Sequence, residues 1–456
     1  MAEIPEAVLV RHLLSQQART LPQDTRARSA QAALDWFTAG WSGMHMPLAS
    51  AIRTLAEDAF PGEGTAMVLG GRGLSATGGA FANAGIVHLR EVDDAHRAAM
   101  LHPGVVAVSP VLALAGTQRL TQRRALDAIV AGYEVSLRVG EALGTGHAAL
   151  FHATATAGTV GAAAAAGVAL GLSETQLHHA LGIAATQAAG LWQLVDDGAH
   201  ESKSLHPAFA VRNGMMAAYA ARAGLPGAQA FFTGQRGMYA LLAGDGPGAA
   251  LDADLAMPDR INTATIKAWP CCAQLFTPLD AVRALMDEHR PDVRDIASID
   301  IVIFPHALKI AGVAWPAKPV ETCFSLRYVV AALLLHGRLG IAEMETPSLA
   351  DPALLALAAR ISIRTDDDFQ KHFPQRRPAR VTVVMQSGAQ HSCYRDLRRG
   401  DPEDPFSWQQ LQDRMRALAP HMDDPAASRI AAWCGRFADS AYDQEACTPP
   451  LDLFKP

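Results

Sequence analysis

Residues 151–172 read FHATATAGTVGAAAAAGVALGL, and the last twenty of them carry no charged side chain. A stretch of this length can cross a membrane, but favourable insertion depends on large aliphatic side chains. Most residues here are Ala, Gly or Thr, and the larger aliphatic ones are Val160, Val168, Leu170 and Leu172. Such a run of small residues is typical of a central helix that neighbouring backbones approach closely. The stretch therefore predicts a buried core helix and no membrane segment.

Apolar residues at helical spacing recur on both sides of this stretch. Ser173 followed by Gln176 predicts a capping box at the start of the next helix, and Gly171 predicts the end of the preceding one. The helices predicted before residue 265 are Ser29–Ala39, Pro47–Ala56, Leu126–Leu143, Thr156–Gly171, Glu174–Leu194, Pro207–Ala223 and Ala228–Phe232.

The pattern changes after about residue 265. SIDIVIF at Ser298–Phe304 and ARVTVVM at Ala379–Met385 predict strands, and a turn from Gln386 leads to another short strand. Helices are predicted at Phe324–Leu335, Leu349–Ile361, Ser407–Leu418 and Ala426–Phe437. The predicted fold class is mainly α with a smaller α+β domain. Residues 1–264 plus 404–456 form the all-helical domain, and residues 265–403 form the α+β domain.

The composition of the 456 residues is that of a folded protein, with 50% hydrophobic and 18% charged residues. A net charge of -6 offers no whole-chain attraction to nucleic acid or to an anionic membrane. The six cysteines include no CxxC pair, which argues against a disulfide framework, a zinc knuckle or an iron–sulfur cluster. The N-terminal MAEIPEAVLV does not resemble a signal peptide. We therefore expect a cytoplasmic protein with reduced thiols.

The densest group of polar side chains lies between residues 83 and 102. If this segment is helical, His88 and Glu91 share a face and point together into a cleft, where carboxylate and imidazole tune each other's proton affinity. Asp94, His96 and His102 extend the group. Two alternatives stay open. One is a metal site, although the spacing matches no ligand motif with a known mechanism. The other, for Asp94, is the capping of a helix N-terminus.

Three further groups contain candidate residues. His152 stands at the mouth of the Ala-rich helix, where backbone amides favour an anion; the alternative is a core histidine bonded to a carbonyl. Lys203 and His206 lie in SKSLHP, where the lysine is alternatively a solvated charge. Lys267 and Cys272 lie at the predicted domain junction, a usual place for ligand sites, with a buried thiol as the alternative for Cys272. Together these side chains suit the binding of carboxylates and the movement of a proton beside one.

At these residues the chain resembles the MmgE/PrpD family, which includes 2-methylcitrate dehydratase, cis-aconitate decarboxylase and iminodisuccinate epimerase. The similar segments follow the family order and span most of the chain. They are FANAGIVHLREVDDAHRAAMLHPG, FHATATAGTVGAAAAAGVALGL, SKSLHPAFAVRNG, IKAWPCCAQ, FSLRYVVAALLLHG and RRGDPEDPFS.

The resemblance implies a helical domain with a smaller α+β domain, and a homodimer. It places four residues in the active site, namely His102, His152, Lys203 and Lys267. It places Cys272 and Tyr328 in the substrate pocket. Three positions depart from the family pattern: Glu91 replaces an aspartate, Ala95 a hydroxyl residue and Ala153 a common proline. These departures concern the substrate and not the fold.

We therefore expect a metal-free lyase or isomerase, independent of any cofactor, that removes a proton α to a carboxylate of a small di- or tricarboxylate. Lys203 and Lys267 hold the carboxylates, and the base is one of Glu91, His102 and His152. The side chains expected to bind substrate are His88, Asp94, His96, His206, Cys272 and Tyr328. The first candidate reaction is that of a hydro-lyase like 2-methylcitrate dehydratase. The alternatives are an epimerase, a decarboxylase, and a catalytically inactive polycarboxylate-binding protein.

Overall fold

The computed structural model describes residues 3–243, 251–255, 259–344 and 349–454. The chain divides into two compact units. Unit 1 comprises Met1–Leu89, Asp93–Ala264 and His421–Pro456, and unit 2 comprises Arg90–Val92 and Thr265–Pro420. The sequence assigned residues 404–420 to the helical domain. They belong to unit 2 because helix α17 (Trp408–Leu418) carries Arg414, which donates to the backbone oxygen of Lys267 over 2.6 Å.

Unit 1 is helical, which confirms the predicted class of this part of the chain. Its helices are α1 Pro5–Ala18, α2 Gln23–Met44, α3 Pro47–Ala59, α4 Ala76–Val87, α5 Pro103–Thr117, α6 Gln122–Leu150, α7 Ala153–Ala169, α8 Glu174–Ala185, α9 Gln193–Asp196, α10 Leu205–Arg222, α11 Met238–Leu242 and α18 Asp424–Gly435. The predicted capping box of Ser173 and Gln176 starts α8, and Gly171 follows α7 at a φ of +71°.

Helix α7 is the Ala-rich segment, and every one of its residues is buried, as predicted. It packs against α6 and α10. A Cβ on Gly161 would lie 2.9 Å from the Gly132 carbonyl oxygen and 2.5 Å from the Ser136 Cβ, so only glycine permits this contact with α6. Among the described residues, no helix combines the length and apolarity needed to cross a bilayer.

Three local predictions in unit 1 were wrong. Helix α4 ends at Val87 and the chain continues as a loop, so His88 and Glu91 do not share a helical face. The helix predicted over Glu174–Leu194 ends at Ala185, and the chain beyond it passes through Gly190 at a φ of +143°, which a continuing helix does not allow. The segment Ala228–Phe232 forms turns. His178 fixes the second residue of that segment by a 2.8 Å bond to the Gln229 carbonyl.

Unit 2 contains one mixed sheet with helices, which confirms the predicted α+β class. Its helices are α12 Phe276–His289, α13 Pro305–Ile310, α14 Leu326–His336, α15 Pro352–Ala358, α16 Asp367–Gln370 and α17. Its strands are β1 Ile296–Ile303, β2 Ile361–Thr365, β3 Ala379–Met385 and β4 Gln390–Arg395, in the spatial order β2-β1-β3-β4. Strand β2 was not predicted. It pairs in parallel with β1, so that Ile301 lies between Ile363 of β2 and Val381 of β3.

Candidate active site

Three histidines of unit 1 cluster at the ends of three helices. His88 follows the last residue of α4, whereas His102 and His152 are the N-cap residues of α5 and α7. The ring centroids are 4.6 Å apart for His88 and His102, 5.6 Å for His88 and His152, and 6.0 Å for His102 and His152. The helix ends therefore bring together residues that are far apart in the chain, two of which the resemblance had assigned to the site.

A carboxylate, an imidazole and an ammonium form a chain within this cluster. The Lys203 Nζ lies 2.9 Å from His88 Nε2, and the His88 Nδ1 lies 2.8 Å from the Asp93 carboxylate. Because a lysine ammonium only donates hydrogen bonds, Nε2 accepts and Nδ1 donates to Asp93. The His88 side chain is fully buried. Asp93 and His88 thus fix the position of the Lys203 charge, so His88 orients another residue in this structure.

A second set of bonds fixes the tautomer of His102. Its Nδ1 lies 2.8 Å from the backbone oxygen of Asp94, so Nδ1 carries the proton and Nε2 of the neutral ring carries the lone pair. The Asp93 carboxylate lies 3.4 Å from the same Nδ1. The His102 side chain is 13% exposed, while that of His88 is 0% exposed. His102 is therefore the more accessible of these two imidazoles.

Asp94 caps helix α5 beneath His102. Its carboxylate accepts the Gly104 N–H over 2.8 Å and the Tyr133 hydroxyl over 2.6 Å, and its own N–H donates to Asp35 over 2.8 Å. A Cβ on Gly104 would lie 2.7 Å from this carboxylate, which explains the glycine. Of the two roles left open for Asp94, this bonding supports capping. Substrate binding by Asp94 stays a prediction.

The titration of Asp94 gives a testable pH dependence. Burial, followed by the charge of Asp35, raises the pKa of the Asp94 carboxyl to about 7. The pKa of an unfolded aspartate is about 3.9, so the protonated carboxyl stabilises the fold at low pH. That contribution is lost as the pH rises from about 4 to about 7. Asp94→Asn cannot titrate. We expect the melting temperature of the wild type, relative to this variant, to fall over that range. A difference that does not change with pH would contradict this assignment.

His152 contacts the indole of Trp192 and the imidazole of His206. Its Nδ1 is 3.1 Å from the Nδ1 of His206, and its ring centroid is 4.6 Å from that of Trp192. The Trp192 indole is fixed by a 2.9 Å bond to the Ala148 carbonyl. Burial and the nearby Lys203 charge hold the pKa of His152 well below its usual range and lower that of His206 to about 4. Both rings are therefore uncharged at neutral pH.

The three-histidine cluster also bears on the metal alternative. His88, His102 and His152 each offer one ring nitrogen within 4.8 Å of the others, a set that could hold a metal ion. However, the Lys203 ammonium lies at hydrogen-bond distance from His88 Nε2. A fixed positive charge at that nitrogen repels a cation and attracts an anion. The cluster therefore suits a carboxylate better than a divalent metal.

A separate group of predicted site residues lies in unit 2. The Lys267 Nζ donates to the Glu91 backbone oxygen over 2.6 Å and lies 3.3 Å from its carboxylate. Glu91 has a φ of 57°, in the left-handed region that non-glycine residues rarely adopt. Lys267 is 1% exposed. That Glu91 and Lys267 share one cleft with the histidines of unit 1 stays a prediction.

Three remaining candidates have other surroundings. His96 accepts the Ala99 N–H at Nδ1 and bonds Thr263 through Nε2, each over 3.0 Å, which indicates a loop-stabilising role. The Tyr328 hydroxyl donates to the backbone oxygen of Glu343, and this tyrosine is fully buried. Cys272 is partly buried. These contacts lend no support to substrate binding by His96 or Tyr328, and all three assignments stay predictions.

The sequence did not single out four residues that build this site. Asp93, Asp35, Tyr133 and Trp192 were not named as candidates. Asp93 lies five residues from His88, whereas Tyr133 lies 39 residues from Asp94. The adjacent carboxylates Asp93 and Asp94 were the one available signal. Their roles in the structure differ, since Asp93 contacts the imidazoles of His88 and His102, and Asp94 caps helix α5.

Comparison with known proteins relates both halves of the chain to one family. The model of the MmgE/PrpD N-terminal domain matches residues 8–249, and that of the MmgE/PrpD C-terminal domain matches residues 269–434. A cis-aconitate decarboxylase-like protein of Aspergillus oryzae is 26% identical and covers 89% of this chain and 88% of its own. The cis-aconitate decarboxylase of Aspergillus terreus is 24% identical, with 81% and 80% covered. The human cis-aconitate decarboxylase is 26% identical, with 76% and 74% covered.

Proposed function

The chain belongs to the MmgE/PrpD family, and from that premise we propose that it is a lyase of small polycarboxylates that moves a proton beside a carboxylate. The observation that carries this proposal is the Asp93–His88–Lys203 chain. It fixes one positive charge among imidazoles, where uncharged rings and a low dielectric strengthen its attraction for an anion. His102 lies against the same Asp93 carboxylate with a defined tautomer.

Each residue has a distinct task in the proposed reaction. Lys203 binds a substrate carboxylate and stabilises the negative charge that develops on it as the adjacent carbon loses or gains a proton. His102 exchanges that proton through Nε2, which makes it the choice among the bases left open by the sequence. His152 and His206 supply neutral hydrogen-bonding groups at the N-terminus of α7, where backbone amides favour an anion.

The fate of the substrate distinguishes the candidate reactions. Decarboxylation of an unsaturated tricarboxylate comes first, because the relatives described above are named for that reaction. In it, carbon dioxide leaves and its bonding electrons form a new double bond, while the electrons of the original double bond take up a proton at another carbon. Dehydration, the first expectation from the sequence, comes second. It is favoured by the His102 tautomer, whose Nε2 lone pair takes the proton from the carbon and can pass it to the leaving hydroxide.

A polycarboxylate panel tests the proposal. Citrate, 2-methylcitrate, cis-aconitate, iminodisuccinate and tartrate are incubated with the protein in deuterium oxide and followed by proton and carbon NMR. We expect one of them to give a lyase product. Release of carbon dioxide identifies decarboxylation, an alkene formed without carbon dioxide identifies dehydration, and deuterium exchange alone identifies epimerisation. Ligands that shift the melting temperature without product or exchange would indicate an inactive binding protein.

Metal independence is a separate expected result. We propose that the fixed Lys203 charge stabilises the developing anion, so exhaustive treatment with EDTA or dipicolinate leaves turnover unchanged. The measurement is turnover before and after chelation, with the metal content followed by mass spectrometry. If turnover is lost on chelation and one added metal restores it, the ion is assigned to the three-histidine cluster. The Lys203 charge is then not what stabilises the developing anion.

We also propose that the protein acts as a homodimer in the cytoplasm. The support is the family resemblance for the dimer, and a cysteine spacing typical of reduced thiols for the location. Sedimentation equilibrium at micromolar concentration checks the first of these. A monomer with full turnover would remove the dimer from the proposal and leave the chemistry in place.

A further inference from the structure

Arg414 is a buried cation that the sequence did not single out. It lies on α17, is 8% exposed, and sits 147 residues from Lys267 in the chain. Its Nε donates to the backbone oxygen of Lys267 and its Nη2 to that of Val92, each over 2.6 Å. A buried guanidinium with two short bonds to main-chain oxygens fixes those two peptide groups relative to each other.

These bonds close a ring with the contacts of Lys267. Lys267 donates from its Nζ to the backbone oxygen of Glu91, the residue before Val92. Arg414 therefore holds the main chain at Lys267 and at Val92, while the Lys267 side chain holds the main chain at Glu91. All four residues lie in unit 2. The ring is rigid because the planar guanidinium of Arg414 presents Nε and Nη2 in a fixed geometry.

The conformation at the centre of the ring needs such support. Glu91 has a φ of 57°, which residues other than Gly, Asn and Asp rarely adopt because the Cβ approaches the carbonyl oxygen. A residue remains in such a conformation only when its surroundings enforce it. The bonds to the backbone oxygens of Glu91 and Val92 hold this conformation, in which the Glu91 carboxylate lies beside the Lys267 ammonium.

We infer that Arg414 is a positioning residue for the reaction, which holds Glu91 and Lys267 in their working geometry without touching the substrate. The inference rests on the proposed function together with the sequence prediction that Glu91 and Lys267 serve the substrate. It adds a residue from the last helix of unit 2, outside every segment in which the sequence predicts a site residue.

The test compares Arg414→Met with a matched control. Arg327 also bonds two backbone oxygens of unit 2, those of Ala358 and Ile361, over 3.1 and 2.8 Å. We expect Arg414→Met to lower kcat by roughly 10- to 100-fold, as a displacement of about 1 Å at a reacting group does. Arg327→Met should keep kcat, although both variants lose stability. Millimolar guanidinium should restore at least part of the kcat of Arg414→Ala, since the ion refills the vacated site.

A crystal structure of Arg414→Met gives a readout that does not depend on turnover. We expect the Glu91 φ to become negative, or the Lys267 Nζ to move beyond about 3.5 Å from the Glu91 oxygen, past hydrogen-bond range. If no polycarboxylate is turned over, the proposed function fails and this geometry still decides the role of Arg414. Wild-type geometry at Glu91 and Lys267 in the variant, or equal kcat losses in the two methionine variants, would overturn the inference.

Discussion

Replacement of His102 by glutamine should abolish most of the catalysis while the fold persists. The variant keeps a polar side chain of similar reach but has no titratable nitrogen. A positioned acid–base group contributes roughly 10²- to 10⁴-fold to a rate, and we expect kcat to fall by that amount. KM should change little, since Lys203 still binds the carboxylate. Steady-state kinetics on the substrate found in the polycarboxylate panel measures both constants.

His178→Gln is the matched control for this variant. His178 is a buried histidine of unit 1 whose ring bonds a backbone oxygen, that of Gln229, over 2.8 Å, the same distance as from His102 to the Asp94 oxygen. It should lose stability to a similar degree and retain kcat. A near-normal kcat in His102→Gln would remove His102 as the proton-transfer group and return the choice to Glu91 and His152.

Lys203→Met is the second replacement with a large expected effect. It keeps the length of the side chain and removes the charge that Asp93 and His88 hold in place. Loss of a preorganised electrostatic group costs roughly 10²- to 10³-fold in kcat. The same change should raise the pKa of His206 above its present value of about 4, because the Lys203 charge is, after burial, the largest cause lowering it. Kinetics and histidine NMR measure the two effects.

Lys371→Met provides the control for the loss of one positive charge. Lys371 pairs with Asp368 over 2.5 Å on the surface of unit 2. Its replacement should leave kcat and the His206 titration unchanged. If Lys203→Met also keeps its kcat, the ammonium bonded to His88 is a structural charge and the proposed anion site is wrong.

The sequence was most informative where structure depends on neighbours in the chain. The capping box at Ser173 and the buried helix after His152 follow from residues within a few positions of one another. Strand β2 was missed because its five residues form a strand by pairing with β1, which lies about sixty positions earlier in the chain. The shared face of His88 and Glu91 failed because a helix pattern was extended past the residue where α4 ends.

The same difference between local and distant contacts applies to the candidate site. His102, His152, Lys203 and Lys267 were predicted as site residues through short motifs, each of which is local. The contacts that hold them were not predicted, since Lys203 meets His88 across 115 positions and Arg414 meets Val92 across 322. Such contacts depend on the packing of whole helices, which no single sequence reports.

Proton transfer by His102 is tested by the incorporation of solvent deuterium by wild type and His102→Gln, measured side by side. With the true substrate in deuterium oxide, the wild type should place deuterium on a carbon next to a carboxylate of the product or of the recovered substrate. His102→Gln should do so at least about 10²-fold more slowly. A decarboxylation product without deuterium at such a carbon, or equal incorporation by the two proteins, would contradict proton transfer by His102.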